Sequence, residues 1–297
     1  MSDRTADDAS DPGDRDRTPT DEARPDAAFR FAVGGYVGVL AAGLAATVAS
    51  LAGAASIVVV GVTLIGSPVG CLAGVVFARR VRGLPIRLGR TWRRRTAVGL
   101  PAVPFGAVGL ASMLASVAFR SGLVALASAF AITIAGYVVT RMARTRFVDA
   151  VTGDEPAATW RWDPPGSPRR DALLLLLWLI LSAVNAASGE WLAALAWFGI
   201  AAFWLAGGLA EGRWWVDAVG ATPELRVHDA GLVIQRPYAR SLVPWREVSH
   251  VRLREDELVL DRDLRDVRFD RDELADLEAV RAAIDRHRQA GSPGARS

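Results

Sequence analysis

The sequence predicts an α-helical polytopic membrane protein, with six transmembrane helices in three hairpins, followed by a small C-terminal α+β domain in the cytoplasm. Three observations carry that prediction. Phe31 to Ala78 run forty-eight positions without an Asp, Glu, Lys, Arg or His, more than twice the ~20 apolar residues that one spanning helix needs. Hydrophobic residues make up 51% of the 297, and the charges collect between long apolar blocks. After Ala210 the pattern changes, because Glu211 to Ser297 hold fifteen Arg and seventeen acids among short apolar runs, the composition of a soluble domain.

The elements follow in order. Residues 1–30 hold nine acids, five Arg and three Pro with few large apolar side chains, which predicts a disordered acidic tail. Lacking a basic start and a short apolar core, this stretch does not read as a cleavable signal peptide. A single helix over Phe31 to Ala78 would be ~70 Å long, against a hydrocarbon core of ~30 Å, so the block must fold back near Gly53 to Ser56. That gives spans of about 31–51 and 55–77. Spans of about 96–119 and 123–140 are parted by Arg120, Ser121 and Gly122, and spans of about 172–188 and 191–210 by Gly189 and Glu190. If one segment is re-entrant, the number falls to four or five.

Orientation follows from the arginines, since short basic loops stay cytoplasmic. Arg79, Arg80, Arg82, Arg87, Arg90, Arg93, Arg94 and Arg95 part the first two hairpins without an acid, and Arg141, Arg144, Arg146, Arg161, Arg169 and Arg170 lie between the second and third. The outer turns hold only Arg120 and Glu190. Every loop therefore predicts a multi-pass protein of the cell membrane with both termini cytoplasmic. Trp92, Trp191, Trp214 and Trp215 fall at span ends, as interfacial indoles do. Trp160 and Trp162 read as anchoring indoles in an irregular linker. All thirty-five basic residues are Arg; GC-rich coding explains this, and a lysine-free chain with an Asp-rich tail also resembles membrane proteins of extreme halophiles in composition. Because the arginines flank apolar spans, nucleic acid is not an expected partner.

The C-terminal region, 211–288, reads as a meander closed by a helix, with a flexible tail at 289–297. Leu225 to His228, the turn Asp229-Ala230-Gly231 and Leu232 to Arg236 form a hairpin pattern. Val248 to Arg254 turns at Glu255-Asp256-Glu257 and returns as Leu258 to Asp261, and Val267 to Phe269 is a last strand. Asp270 with Glu273 offers a capping box for a helix whose stripe is Leu274, Leu277, Val280 and Ile284. Glu224-Leu225-Arg226-Val227-His228-Asp229-Ala230-Gly231-Leu232-Val233, followed by Leu242-Val243-Pro244-Trp245-Arg246-Glu247-Val248, resembles the pleckstrin-homology-like (PH-like) domains attached to prokaryotic membrane spans. The resemblance covers some seventy residues and implies a lipid-proximal scaffolding or protein-contact role without catalysis. It leaves the chain short of seven strands unless Arg213 to Val219 supplies one.

Candidate sites are few. No predicted span holds a carboxylate, His or Arg, and the most polar residues there are Asn185, Ser112, Ser116, Ser128, Thr133 and Ser182, which can bond one another or backbone carbonyls. Gly66-Ser67-Pro68, Pro101 and Pro104 predict kinks. Gly66, Gly70 and Gly74, with Gly34 and Gly38, give the small-residue spacing of close helix packing, either within the first hairpin or in a homo-oligomer. Arg79, Arg80, Arg82, Arg93, Arg94 and Arg95 are assigned to lipid headgroups. Trp245, Arg246, Arg252 and Arg254 are assigned to a protein-partner surface.

No catalytic, cofactor-binding or metal-binding residues are expected. The three His lie in no catalytic or metal motif, and Glu247 and His250, three apart on a strand, point to opposite faces. Asp261, Asp263 and Asp266 lack the Gly and Glu of a calcium loop. Cys71 is the only cysteine, so it is read as a packing residue. The expected function is a non-catalytic scaffold or regulatory subunit bound to the lipid bilayer, with a protein partner at the C-terminal domain. The alternative is a transport protein, or a subunit of one, built on kinked uncharged helices.

Overall fold

The computed structural model describes residues 25–114, 118–163, 168–211, 222–262, 266–274 and 276–291. Ser116, Trp214, Trp215, the stretch Arg213 to Val219 and most of the two predicted tails lie outside these residues. The first helix, α1 (Ala27–Leu51), starts four residues before the predicted span. Asp26 caps it by accepting the Phe29 N–H at 2.7 Å, and its other oxygen takes Arg146 at 2.6 Å. Residues 27–30 are therefore helical rather than part of a disordered tail, and Phe29 is fully buried.

The chain turns at Gly53, whose φ of 74° is open to glycine without strain, and returns as α2 (Ser56–Arg80). Pro68 lies inside α2 without ending it. The two helices pack through small residues. A side chain on Gly70 would meet the Val37 carbonyl at 2.7 Å, one on Gly74 the Val33 carbonyl at 2.9 Å, and one on Gly38 the Ser67 carbonyl at 2.8 Å. Gly34 faces Val75 and Cys71, and Gly66 faces Ala41 and Ala42.

The predicted 96–119 span is interrupted. Short helices α3 (Leu84–Arg90) and α4 (Trp92–Gly99) precede a break at Leu100 and Pro101, and only then does α5 (Ala102–Met113) begin. Proline cannot donate to a helix ladder, so the apolar run divides. At 12 residues, α5 is ~18 Å long. Next comes α6 (Phe119–Val151), 33 residues and ~50 Å, so about 20 Å of it extends past a bilayer core. The extension carries Arg141, Arg144, Arg146 and Asp149.

A pair of helices, α7 (Pro168–Ala187) and α8 (Trp191–Glu211), completes the helical part. Ser182 donates across to the Ala194 carbonyl at 2.8 Å, Trp178 and Trp204 meet edge to face at 5.2 Å, and Phe203 packs on Phe130 and Tyr137 of α6. Among the described residues four helices are long and apolar enough to cross a membrane: α1, α2, α6 and α7. The apolar stretches Ala102–Ser112 and Ala196–Leu205, counted over described residues alone, are shorter, so six spans in three hairpins are not confirmed. Large apolar side chains such as Ile57, Leu64, Leu72, Leu110, Leu173 and Val184 are more than half exposed, as lipid-facing surfaces are. Of the polar residues singled out from sequence, Ser112, Ser128, Thr133 and Asn185 each donate to a carbonyl of their own helix.

Among the described residues the C-terminal domain comprises seven strands and a helix, with the strands in two antiparallel sheets. The first sheet orders β1 (Ala158–Arg161), β2 (Glu224–His228), β3 (Gly231–Arg236) and β4 (Ala239–Pro244). The second orders β5 (Val248–Leu253), β6 (Glu257–Arg262) and β7 (Val267–Asp270). Gly231 is required where β3 meets β4, since a side chain there would meet the Val243 carbonyl at 2.3 Å. Helix α9 (Leu277–Gly291) closes the core with Leu277, Val280 and Ile284, and it runs into the predicted 289–297 tail. Its cap differs from the predicted box. Asp276 accepts the Ala279 N–H at 2.8 Å, while Glu273 instead accepts the Trp162 indole N–H at 3.2 Å.

Strand β1 corrects the reading of the loop after α6. Ala158 to Arg161 pair in register with Val227 to Glu224, and the Trp162 N–H reaches the Pro223 carbonyl at 3.1 Å. Trp162 is 3% exposed, edge-on to Phe269 at 6.2 Å and beneath Arg236. Neither indole is an interfacial anchor. The domain is thus discontinuous in sequence, with α7 and α8 inserted between its first two strands, and its boundary extends beyond the predicted 211–288.

Candidate functional site

The site forms where the extension of α6 meets α3, α4 and the C-terminal domain. Gly89 sets the first contact, because a side chain there would strike the Ala143 carbonyl at 2.4 Å. Its bare backbone lets α3 lie directly on α6, one residue from Arg144. Tyr36 of α1 donates to the Val98 carbonyl at 2.7 Å, which ties α4 to the same bundle.

From the other side β4 sits on α6. The Arg240 N–H donates to Thr145 Oγ1 at 3.2 Å, and the Arg240 guanidinium pairs with Asp149 at 2.5 Å. A second brace is Asp154, which accepts the Asp229 N–H at 3.1 Å and faces His228 Nδ1 at 3.1 Å. Burial raises the Asp154 carboxyl, but the backbone bonds and His228 outweigh it and hold the pKa below the usual value.

Between these elements lies a cavity of about 650 Å³ lined by seven arginines and one acid, Glu247. Arg144 comes from α6, Arg94 and Arg95 from α4, Arg246 from the 3-10 turn Trp245–Glu247, and Arg262 from the end of β6. Arg262 pairs with Glu247. Arg144, past the apolar part of α6, is pushed down to about 10 by burial first and then by Arg95, Arg236, Arg141 and Arg262. Burial also lowers Arg95, partly offset by Glu247 across the cavity. A smaller cavity of about 160 Å³ adjoins it and shares Arg95 and Arg144.

The structure divides the sequence-predicted residues. Arg79, Arg80 and Arg82 gather with Arg30 at the end of the α1 and α2 pair, apart from the site. Arg93 is exposed, whereas Arg94 and Arg95 line the cavity. Trp245 is partly buried: it packs on the domain core and donates to the His228 carbonyl at 2.9 Å. Arg246 turns toward the helices. Arg252 and Arg254 remain exposed at β5 and the turn after it, paired with Asp261 and Glu257 at 2.7 Å each. Arg144 and Arg262 were not singled out from sequence. An Arg among many loop arginines carries no local mark, and only the approach of β4 to α6 makes these two distinctive.

Residues 222–290 match the family model of the bacterial PH domain. The C-terminal unit is a bacterial PH domain. No curated protein and no solved structure matches the chain. The match begins at residue 222, so β1 and Trp162 of the PH domain lie outside it and are supplied from beyond the helical insertion. With β1 the strands number seven among the described residues, and Arg213 to Val219 lies outside them. Among the described residues no group of three His, Cys, Asp or Glu is placed to hold a metal ion.

Proposed function

We propose that the protein is a non-catalytic multi-pass protein of the cell membrane, with both termini cytoplasmic, that acts as a scaffold or regulatory subunit through its PH domain. One observation supports this most directly. The PH domain is built onto the helices, through β1 after α6 and the Arg240 contacts to Thr145 and Asp149, instead of hanging from a flexible linker. A module held this way presents a fixed surface at a fixed height above the bilayer. On that surface β5 is an edge strand with Ser249, His250 and Arg252 exposed and Arg254 beside them, the position at which a partner chain is accepted. The predicted spans carry no Asp, Glu, Lys, Arg or His, which supports a non-catalytic reading.

The test is affinity capture with the full chain in detergent, comparing wild type with the double variant Arg252→Glu, Arg254→Glu. A protein held by wild type and lost from the variant is the expected outcome. Equal retention by both sinks the assignment of the surface. A transport role is the second reading, favoured by the break at Leu100 and Pro101 between α4 and α5, where the helical ladder gives way to the i−3 bonds of Leu100 to Ala97 and Val103 to Leu100. A solute retained by chains that capture no protein would move the conclusion to that reading.

A further inference from the structure

The cavity between the helices and the PH domain holds more positive charge than the described residues balance. Of its seven arginines, Arg262 takes the single acid, Glu247. Arg94 donates to the Arg87 carbonyl at 3.1 Å. Arg144 has no ion pair or hydrogen bond from its guanidinium among the described residues, and the buried Nε atoms of Arg95 and Arg262 have no acceptor there. Guanidiniums converging in a partly enclosed space repel one another unless a counter-charge joins them. The α3 and α4 loop has no acid to supply one.

We propose that this cavity binds a phosphate-bearing anion, held by Arg95 and Arg144 from the helices and by Arg246 and Arg262 from the PH domain. Guanidinium forks match phosphate oxygens two at a time, and a multivalent group offers enough oxygens for several forks at once, which a single carboxylate does not. The volume of about 650 Å³ lies within the ~300–1,000 Å³ of small-molecule sites. Ile86, Phe147, Val151 and Leu242 form an apolar part of the wall, suited to the organic portion of such a ligand. The phosphate belongs to a lipid headgroup or to a soluble phosphorylated compound; the chemistry is shared. Because the arginines come from two units, the anion fastens the PH domain to the helices when bound.

The full chain in neutral detergent and phosphate-free buffer is titrated with inorganic pyrophosphate while its melting temperature is followed. In a second arm the chain is placed in phosphatidylcholine discs with or without phosphatidylglycerol. Arg144→Gln and Arg246→Gln are compared with Arg281→Gln, a control on α9 whose only ion pair among the described residues is to Asp285 on the same helix. Saturable stabilisation by pyrophosphate is expected, about tenfold or more weaker in the two cavity variants and unchanged in the control. Without ligand, Arg144→Gln should melt no lower than wild type, since it removes a repelling charge; a residue with a merely structural role would melt lower. If Arg144→Gln fails to fold, Arg246→Gln, exposed at the rim, carries the comparison. Stabilisation by phosphatidylglycerol alone, with the same variant pattern, supports the site and assigns it to a headgroup. Stabilisation by neither probe, or equally in wild type and Arg246→Gln, overturns the proposal.

Discussion

Trp162 shows how much one residue decides. Its indole is buried against Phe269, covered by Arg236 and bonded to Glu273, so Trp162→Ala should cost ~3–5 kcal/mol, as for a large buried aromatic. The loss should appear as earlier proteolysis of the PH domain in the otherwise intact chain. Asp154 gives a pH dependence. Its folded pKa is lowered from the ordinary value of 3.8, so the native state binds fewer protons than the unfolded state as pH falls toward and below that value. Its contribution is thus complete above the unfolded pKa and disappears as pH falls through the folded one. Acid melts of the full chain should show less stability lost between about pH 5 and 3 in Asp154→Asn than in wild type, with ~1 kcal/mol already missing at neutral pH from the Asp229 N–H bond. An unchanged acid slope would refute that role.

At the scale of elements, close backbone approach governs the arrangement. Gly70 and Gly74 bring α2 against the Val37 and Val33 carbonyls, and Gly70→Val should overpack that interface at ~1–3 kcal/mol, lowering the detergent melting temperature of the full chain. Gly61, with open space around it, is the control position and should tolerate Ala with little change. Gly89→Val should lift α3 from α6, because the Ala143 carbonyl is 2.4 Å from the added carbon. Greater proteolysis between α3 and α4 would report that movement. The spans at α1 and α2 were legible in the sequence because long runs without charge have few other solutions in lipid. The division of 96–119 was less legible, since Pro101 within an apolar run reads equally as a kink or as an end, and neighbouring helices decide which.

For the whole molecule, the insertion of α7 and α8 into the PH domain is the feature with the widest consequence. A fragment of residues 222–291 lacks β1 and Trp162, leaving the β2 edge and a core position open. It should be less soluble and melt lower than the same fragment with residues 157–163 joined by a short flexible linker ahead of residue 222. Equal circular-dichroism melts for the two fragments would show that β1 adds nothing.

Apolar runs and the β2 to α9 patterns determined the helical character of the long apolar blocks and the presence of a PH domain after residue 222, because those features arise from short-range burial and periodicity. The sequence also carried the small-residue spacing of Gly70 and Gly74. Only the tertiary structure decided that Ala158 to Arg161 complete the first sheet, that Trp162 enters its core, and that Arg144 and Arg262 face one cavity. Those pairings join residues far apart in sequence, and four residues of strand or one arginine among many bear no local pattern. Their environment is created by the meeting of α6 with β4, a contact that exists only once both units have folded.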